Sequence, residues 1–245
     1  MRFLRWLKNI FGKKVAGVES SDHENLVKAW FDRKSALMEK VLGKEHSMVM
    51  HAFVPYAIGG NLALFYFPNG IPGTAIVTKE LCELPNQGPS NALFSSYEFV
   101  MFTKHPLSLV DAKNGATTFG RAHLNIDAIL NVMARYSQTA KLNPFETAEF
   151  PAGMEAVGGK CLIFVPYARF SDDLAKNFGL LAIIEVFRSE MEHAIKHGGQ
   201  SLVKLLEEKG FFPYSDLNRE AAVLFVNLFS LRFWAAIGCS SSASY

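Results

Sequence analysis

The sequence predicts an α+β fold, a mixed β-sheet flanked by helices, and three observations carry that reading. Short apolar runs of strand length recur at residues 62–67, 73–78, 97–103, 161–166 and 179–187. Helical spacing of apolar residues marks 24–42, 121–137 and 189–209. The order is helix, several strands, helix, strands, two helices, without the strict strand–helix alternation of a parallel α/β sheet.

The hub is the stretch GGNLALFYFPNGIPGTAIVTKE, residues 59–80. Residues 62–67 form a continuous apolar and aromatic run, too short for a membrane span and best read as a strand covered on both faces. Pro68 removes a ladder donor, and Asn69-Gly70 tolerates the positive φ angles of a tight turn, so 73–78 is expected to return beside 62–67. A hairpin with no polar face is expected at the centre of the sheet.

The first helix is expected from a capping box of Ser21 and Glu24, with Leu26, Val27, Trp30, Phe31, Leu37, Met38, Val41 and Leu42 at helical intervals and Gly43 as its stop. Residues 47–54 read as a strand, 84–91 as a loop, and 97–103 as a strand with Tyr97, Phe99 and Met101 on one face and Val100 and Phe102 on the other. Leu124, Ala128, Val132 and Tyr136 follow at successive i+4 positions, so a helix spans 121–137 and Asn143-Pro144 marks the exit. Two buried strands follow, at 161–166 and 179–187, separated by the polar SDDLAKN. Ser189 and Glu192 have capping-box spacing for a helix ending at His197, with Gly198 as a left-handed cap, and Ser201 opens a last helix closed by Gly210.

Three regions are expected: residues 1–22 as an amphipathic segment and linker, 23–220 as the domain, and 221–245 as an apolar tail. Phe3, Leu4, Trp6, Leu7, Ile10 and Phe11 share one helical face, while Arg2, Arg5, Lys8 and Asn9 take the other, the pattern of a short interfacial helix. Weak membrane-surface contact through residues 2–11 is one reading; a loosely docked extension is the plainer one. The tail is about a bilayer span long, but Asn227 and Arg232 interrupt it and no basic flank follows, so a buried terminal element is expected over an anchor.

The 245 residues are 49% hydrophobic and 20% charged, with a formal net charge of +2, so no basic stripe marks a nucleic-acid binder. The 21 phenylalanines, against seven tyrosines and three tryptophans, favour a packed interior over a base-stacking platform. Cys82, Cys161 and Cys239 are odd in number and far apart, which suggests neither a disulfide framework nor a zinc knuckle and fits a cytoplasmic setting. The N-terminus has no uninterrupted apolar core and no small-residue cleavage site of a secretory signal.

No motif names an enzyme or a cofactor. The loop at 153–161 (GMEAVGGKC) has one residue too many for a phosphate loop and ends in Cys where a magnesium-binding hydroxyl belongs. His193 and His197 sit one turn apart, with Glu190 a turn earlier, but HAIKH lacks the glutamate of a metalloprotease helix, so no metal is expected. No G-x-S-x-G elbow is present. Glu80, Glu83 and Glu98 flank strands and read as solvated surface acids.

Several stretches nevertheless form a distributed pattern: YFPNGIPGTAIVTKEL at 66–81, YEFVM at 97–101, EMEHAIKHG at 190–198, LVKLL at 202–206 and PYSDLNR at 213–219. Together, across about 42–219, they resemble bacterial proteins with a suppressor-of-fused domain. Phe212 stands where the family commonly has tyrosine, and Ala222 where the bacterial pattern tends to proline; beyond Ala221 the resemblance fades. The resemblance implies a mixed sheet with helices and a non-enzymatic binding protein whose partner is another protein. The animal relative grips a short segment of a zinc-finger transcription factor as an added strand, and some bacterial members look like immunity proteins that neutralise toxins. The family assigns no catalytic or metal residue. An enzyme with a dispersed active site and a membrane-surface adaptor are the competing classes.

The candidate partner surface is the turn after the last helix, carried by Tyr214, Ser215, Asp216 and Arg219. Loops bear binding residues more often than their scaffold, and Tyr and Arg are frequent interface anchors. The alternative is structural, with Asp216 capping a turn and Arg219 paired with an acid to pin the chain.

Overall fold

The computed structural model describes residues 19–171 and 173–223. In chain order these form α1 (Glu19–Leu42), a 3-10 turn (Tyr56–Ile58), β1 (Phe65–Phe67), β2 (Thr74–Val77), β3 (Ser96–Thr103), α2 (Thr118–Tyr136), β4 (Thr147–Glu149), β5 (Cys161–Phe170), β6 (Phe178–Val186), α3 (Arg188–His197) and α4 (Gly199–Glu208). One six-stranded sheet has the order β1-β2-β3-β6-β5-β4. β3 and β6 run parallel at its centre, and the other neighbours are antiparallel, so the sheet is mixed as expected. Every residue of β3 and β6 is buried, the consequence of cover on both faces, and this is why both read as continuous apolar runs.

Alternation along β1 shows how the layers stack. The Phe65 ring meets Phe31 of α1 at 5.7 Å, while its neighbour Tyr66 meets His123 of α2 at 5.8 Å. Successive strand residues point to opposite faces, so α1 and α2 cover the two sides of the sheet.

The hairpin of β1 and β2 forms as the sequence predicts, but at an edge, not the centre. Its outer side is closed by the chain after α1: His46 N donates to Tyr66 O at 2.8 Å, and Met50 and Leu64 exchange both backbone bonds. A covered edge needs no polar face. That segment is not a strand, since Met50 contributes only an isolated bridge. The positive φ of the hairpin turn falls at Gly73 (102°), not at Asn69-Gly70. Gly70 is needed for close approach, because a Cβ there would stand 2.0 Å from Leu42 O at the end of α1.

Other helix starts differ from expectation as well. α1 is already under way at Glu19, so Ser21 lies inside it and the end of the expected linker is helical. α2 starts earlier than predicted, at a Thr117 cap whose hydroxyl accepts from Gly120 N at 3.0 Å. α3 is opened by Glu190, not by Ser189 with Glu192: its carboxylate accepts from Phe187 N at 2.9 Å, and Ser189 donates to Val223 O. The expected N-terminal interfacial helix and the bulk of the apolar tail lie outside the described residues. Among the described residues no helix is long and apolar enough to cross a membrane.

Glu98 is not a surface acid. It is fully buried on β3, with Oε1 2.8 Å from Lys34 Nζ and 3.0 Å from Cys82 N, and Oε2 accepting from Thr78 Oγ1 and Leu81 N. Lys34 uses its remaining donors on the carbonyls of Lys79 and Cys82, both at 2.6 Å. Next to it Lys79 pairs with Glu45 at 3.0 Å and lies over the rings of Phe31 and Phe65. The TKEL passage is therefore the backbone frame of a buried ion pair that ties α1 to the sheet.

Candidate functional site

The four predicted partner-binding residues are set by the way the chain leaves α4. After Gly210 (φ 68°) the segment 211–216 crosses the end of β3: Ser215 N donates to Phe102 O at 2.9 Å, and Tyr214 forms an isolated bridge to Phe102. Tyr214 is half-buried, and its hydroxyl donates to Pro72 O at 2.7 Å. Lys104 Nζ sits 5.3 Å from its ring centre. Ser215 is buried; its hydroxyl donates to Ile183 O and accepts from Glu185 N.

Asp216 caps the end of β3. Oδ1 accepts from Thr103 Oγ1 at 2.7 Å, Oδ2 accepts from Lys104 N at 2.6 Å, and His105 Nε2 stands 3.8 Å away. Arg219 turns inward. Its guanidinium forks onto Glu190 and lies over the rings of Phe187 and Phe211, leaving the side chain 6% exposed. Tyr214 is thus the partly exposed side chain of the turn, while Ser215, Asp216 and Arg219 fasten it.

The turn is also one wall of an open cleft of about 330 Å³. The first two turns of α2 form the facing wall, through Thr118, Arg121 and Asn125, and the floor carries Lys160 and Glu185. Lys160 Nζ lies 3.0 Å from Glu185 Oε1, and Asn125 Nδ2 donates to Glu185 Oε2 at 2.5 Å. Arg121 donates to Ala116 O at 3.1 Å, and no carboxylate among the described residues pairs with it. Ser215 and Asp216 are the sequence-predicted residues that this cleft brings together.

Its other charged groups were missed because they are far apart in the chain. One signal was present: Glu185 is the single acid inside the apolar LLAIIEV run, and such a residue needs a dedicated partner. Lys160, after Gly158-Gly159, was seen only as part of the rejected phosphate loop, which forms turns between β4 and β5.

His193 Nε2 lies 3.1 Å from Ser201 Oγ, which bridges α3 and α4, and its ring is tilted against that of His197 with centroids 4.6 Å apart. Among the described residues no group of three or more metal-ligating side chains forms. Neither described thiol is poised as a nucleophile: burial pushes Cys82 well above its ordinary pKa and raises Cys161 too.

No family model matches the chain. No curated protein matches its sequence at a significant level. Solved structures do match its fold. A chain from the crystal structure of the Sufu–Fu complex aligns over 89% of this chain and 98% of its own length, with a TM-score of 0.54 and 12% identity. Drosophila Suppressor of Fused aligns over 75% of this chain and 47% of its own, with a TM-score of 0.48 and 14% identity. A suppressor-of-fused homologue from Neisseria gonorrhoeae aligns over 83% of this chain and 98% of its own, with a TM-score of 0.47 and 15% identity. The sheet and helices described above are therefore similar to those of the Sufu–Fu complex chain, and the fold of this protein is suppressor-of-fused-like.

Proposed function

We propose that the chain is a non-enzymatic protein-binding module of suppressor-of-fused type, working in the cytoplasm, with a cognate toxin as the partner class to test first. The observation that carries this reading is the position of the Pro213–Asp216 turn. It forms one wall of an open cleft whose charged side chains come from α2, the start of β5, the end of β6 and the chain after β3. Tyr214 is the partly exposed contact ring of the turn, Ser215 and Asp216 shape the cleft wall, and Arg219 holds the turn in place.

The chemistry inside the cleft supports binding over catalysis. Both oxygens of Glu185 and of Asp216 already hold protein donors, and the Ser215 hydroxyl is directed at Ile183 O. No nucleophile–base pair is set up among the described residues lining it. The structural neighbour comes from a crystal structure of the Sufu–Fu complex, a protein–protein assembly, which agrees with this reading.

Capture from host lysate onto the immobilised full chain tests it. Ala122 lines the α2 wall, so Ala122→Trp fills the cleft, and Lys204→Ala on exposed α4 surface serves as the control. The expected result is a protein retained by the wild type and the Lys204 variant and lost by the filled one. Should Ala122→Trp melt early, Asn218→Trp at the exposed mouth takes its place. A folded, cleft-filled variant that retains the same proteins overturns the proposal.

A further inference from the structure

We propose that the cleft beside the Pro213–Asp216 turn recognises an acidic segment of its partner, through carboxylates that meet Arg121, Lys160 and His105. This rests on the binding reading above and adds the chemistry of the bound segment.

The argument is one of unspent donors. The two acids in the cleft are already engaged. Glu185 is 5% exposed at its side chain and holds Lys160 on one oxygen and Asn125 on the other. Asp216 is 6% exposed and holds the Thr103 hydroxyl and the Lys104 amide.

The cations keep capacity. An ammonium has three donors and a guanidinium five. Lys160 commits one to Glu185 and is 26% exposed, while Arg121 commits one to the Ala116 carbonyl and is otherwise exposed without a carboxylate partner among the described residues. His105 also lines the cleft, its side chain 24% exposed and its Nε2 3.8 Å from Asp216 Oδ1. Lys104 adds a third cation on the Tyr214 side of the turn, its ammonium held over the rings of Phe211 and Tyr214 with no carboxylate partner among the described residues.

A cleft whose acids are nearly buried with their oxygens already hydrogen-bonded, and whose basic side chains still have free N–H groups, offers its donors to anions. Side-chain carboxylates on a protein segment are the occupant that fits a volume of about 330 Å³ open along one side. A basic segment would have to displace Lys160 from Glu185 and gain no free acid in return.

The probe is a fluorescein-labelled peptide of ten residues alternating Glu and Gly, with a Lys-Gly peptide of the same length as its counterpart. Anisotropy is read with the full chain at low salt. The acidic peptide is expected to bind and the basic one not. Arg121→Glu, an exposed substitution that touches no buried partner, is expected to weaken binding roughly five- to tenfold, the scale of one or two rim charges. Lys141→Glu, beyond the far end of α2, carries the same change in net charge and is expected to leave binding unaltered.

Equal loss in the Arg121 and Lys141 variants, or equal binding of both peptides, overturns the proposal, as does displacement of the acidic peptide by inorganic phosphate at matched ionic strength. If the acidic peptide fails while lysate capture still depends on an open cleft, the binding reading stands and the acidic-segment inference falls. If capture ignores the cleft, both fall.

Discussion

Arg219 sets its two terminal nitrogens against the two oxygens of Glu190, at 2.6 and 2.9 Å, and both side chains are buried. Glu190 also receives Phe187 N at the start of α3 and Ala222 N beyond the turn, so one carboxylate gathers a helix start, a strand exit and the end of the described chain. Removing one partner of a buried pair leaves a charge uncompensated, at a cost of roughly 3–5 kcal/mol. Arg219→Ala is therefore expected to lower Tm by about 6–12 °C or more for a domain of this size. Arg219→Lys restores the charge but not the planar fork, and is expected to recover only part of the loss. A melt within about 2 °C of wild type for Arg219→Ala, well under the shift expected for losing a buried pair, would show that the fork does not hold the chain.

The pair of Lys34 and Glu98 makes a different prediction, because its partners are mainly backbone. Lys34→Met deletes the cation, and roughly 3–5 kcal/mol of destabilisation is expected. In many buried pairs a double apolar replacement recovers stability. Here Lys34→Met with Glu98→Leu is expected to be worse than Lys34→Met alone, since Leu81 N, Cys82 N and Thr78 Oγ1 lose their acceptor. Urea titration of the two single variants and the double checks the order.

His123 carries the pH dependence. Its Nε2 lies 2.8 Å from the Tyr66 hydroxyl between α2 and β1, and burial pushes its imidazole below the ordinary value, with Lys113 acting the same way. The unfolded chain takes up this proton near the ordinary value of 6.5, and the folded chain only at lower pH. Stability is thus intact above about pH 6.5 and falls with acidification down to the folded value, by up to about 1.4 kcal/mol per pH unit. His193 shifts in the same direction, while burial raises Glu80 and Asp127, which lose stability as pH rises and so act with the opposite sign. The difference between wild type and His123→Leu isolates the histidine. The variant is expected to be less stable at pH 7.5, having lost the Tyr66 contact, and to lose less between pH 7 and pH 5. Parallel curves would refute the assignment.

Strands and helices were legible where burial leaves a periodic or continuous apolar record, as in the fully buried TAIV, YEFVM and LLAIIEV stretches. What the sequence could not show is where a strand sits in the sheet. β1 reads as central because its outer edge is covered by residues 46–50, a contact made by backbone and invisible to side-chain patterning. The same blindness hid Glu98, whose acceptors are satisfied mainly by amides of a loop remote in the chain. Of the candidate site, the turn was visible as a motif. The cleft was not, because Arg121, Lys160 and Glu185 come together only when α2 crosses the end of β6.

The contact between the end of α1 and the hairpin turn gives the last prediction. Gly43 has φ 78°, and a Cβ there would lie 2.7 Å from Gly70 N; a Cβ on Gly70 would lie 2.0 Å from Leu42 O. The two glycines therefore face one another backbone to backbone, and neither neighbour is a flexible side chain that could yield. Gly70 has no positive φ, so Gly70→Ala introduces no dihedral strain and its effect isolates the steric term. Separating α1 from the turn by the width of a methyl group also disturbs Leu42, which is 1% exposed in the core. Overpacking of this kind costs about 1–3 kcal/mol. Gly73→Ala, where φ is 102° and a Cβ would meet Thr103 O at 2.1 Å, adds backbone strain to the same clash and is expected to cost more. Thermal melts of the two variants rank them, and a Gly70→Ala protein as stable as wild type would show that the end of α1 can retreat from the hairpin without loss.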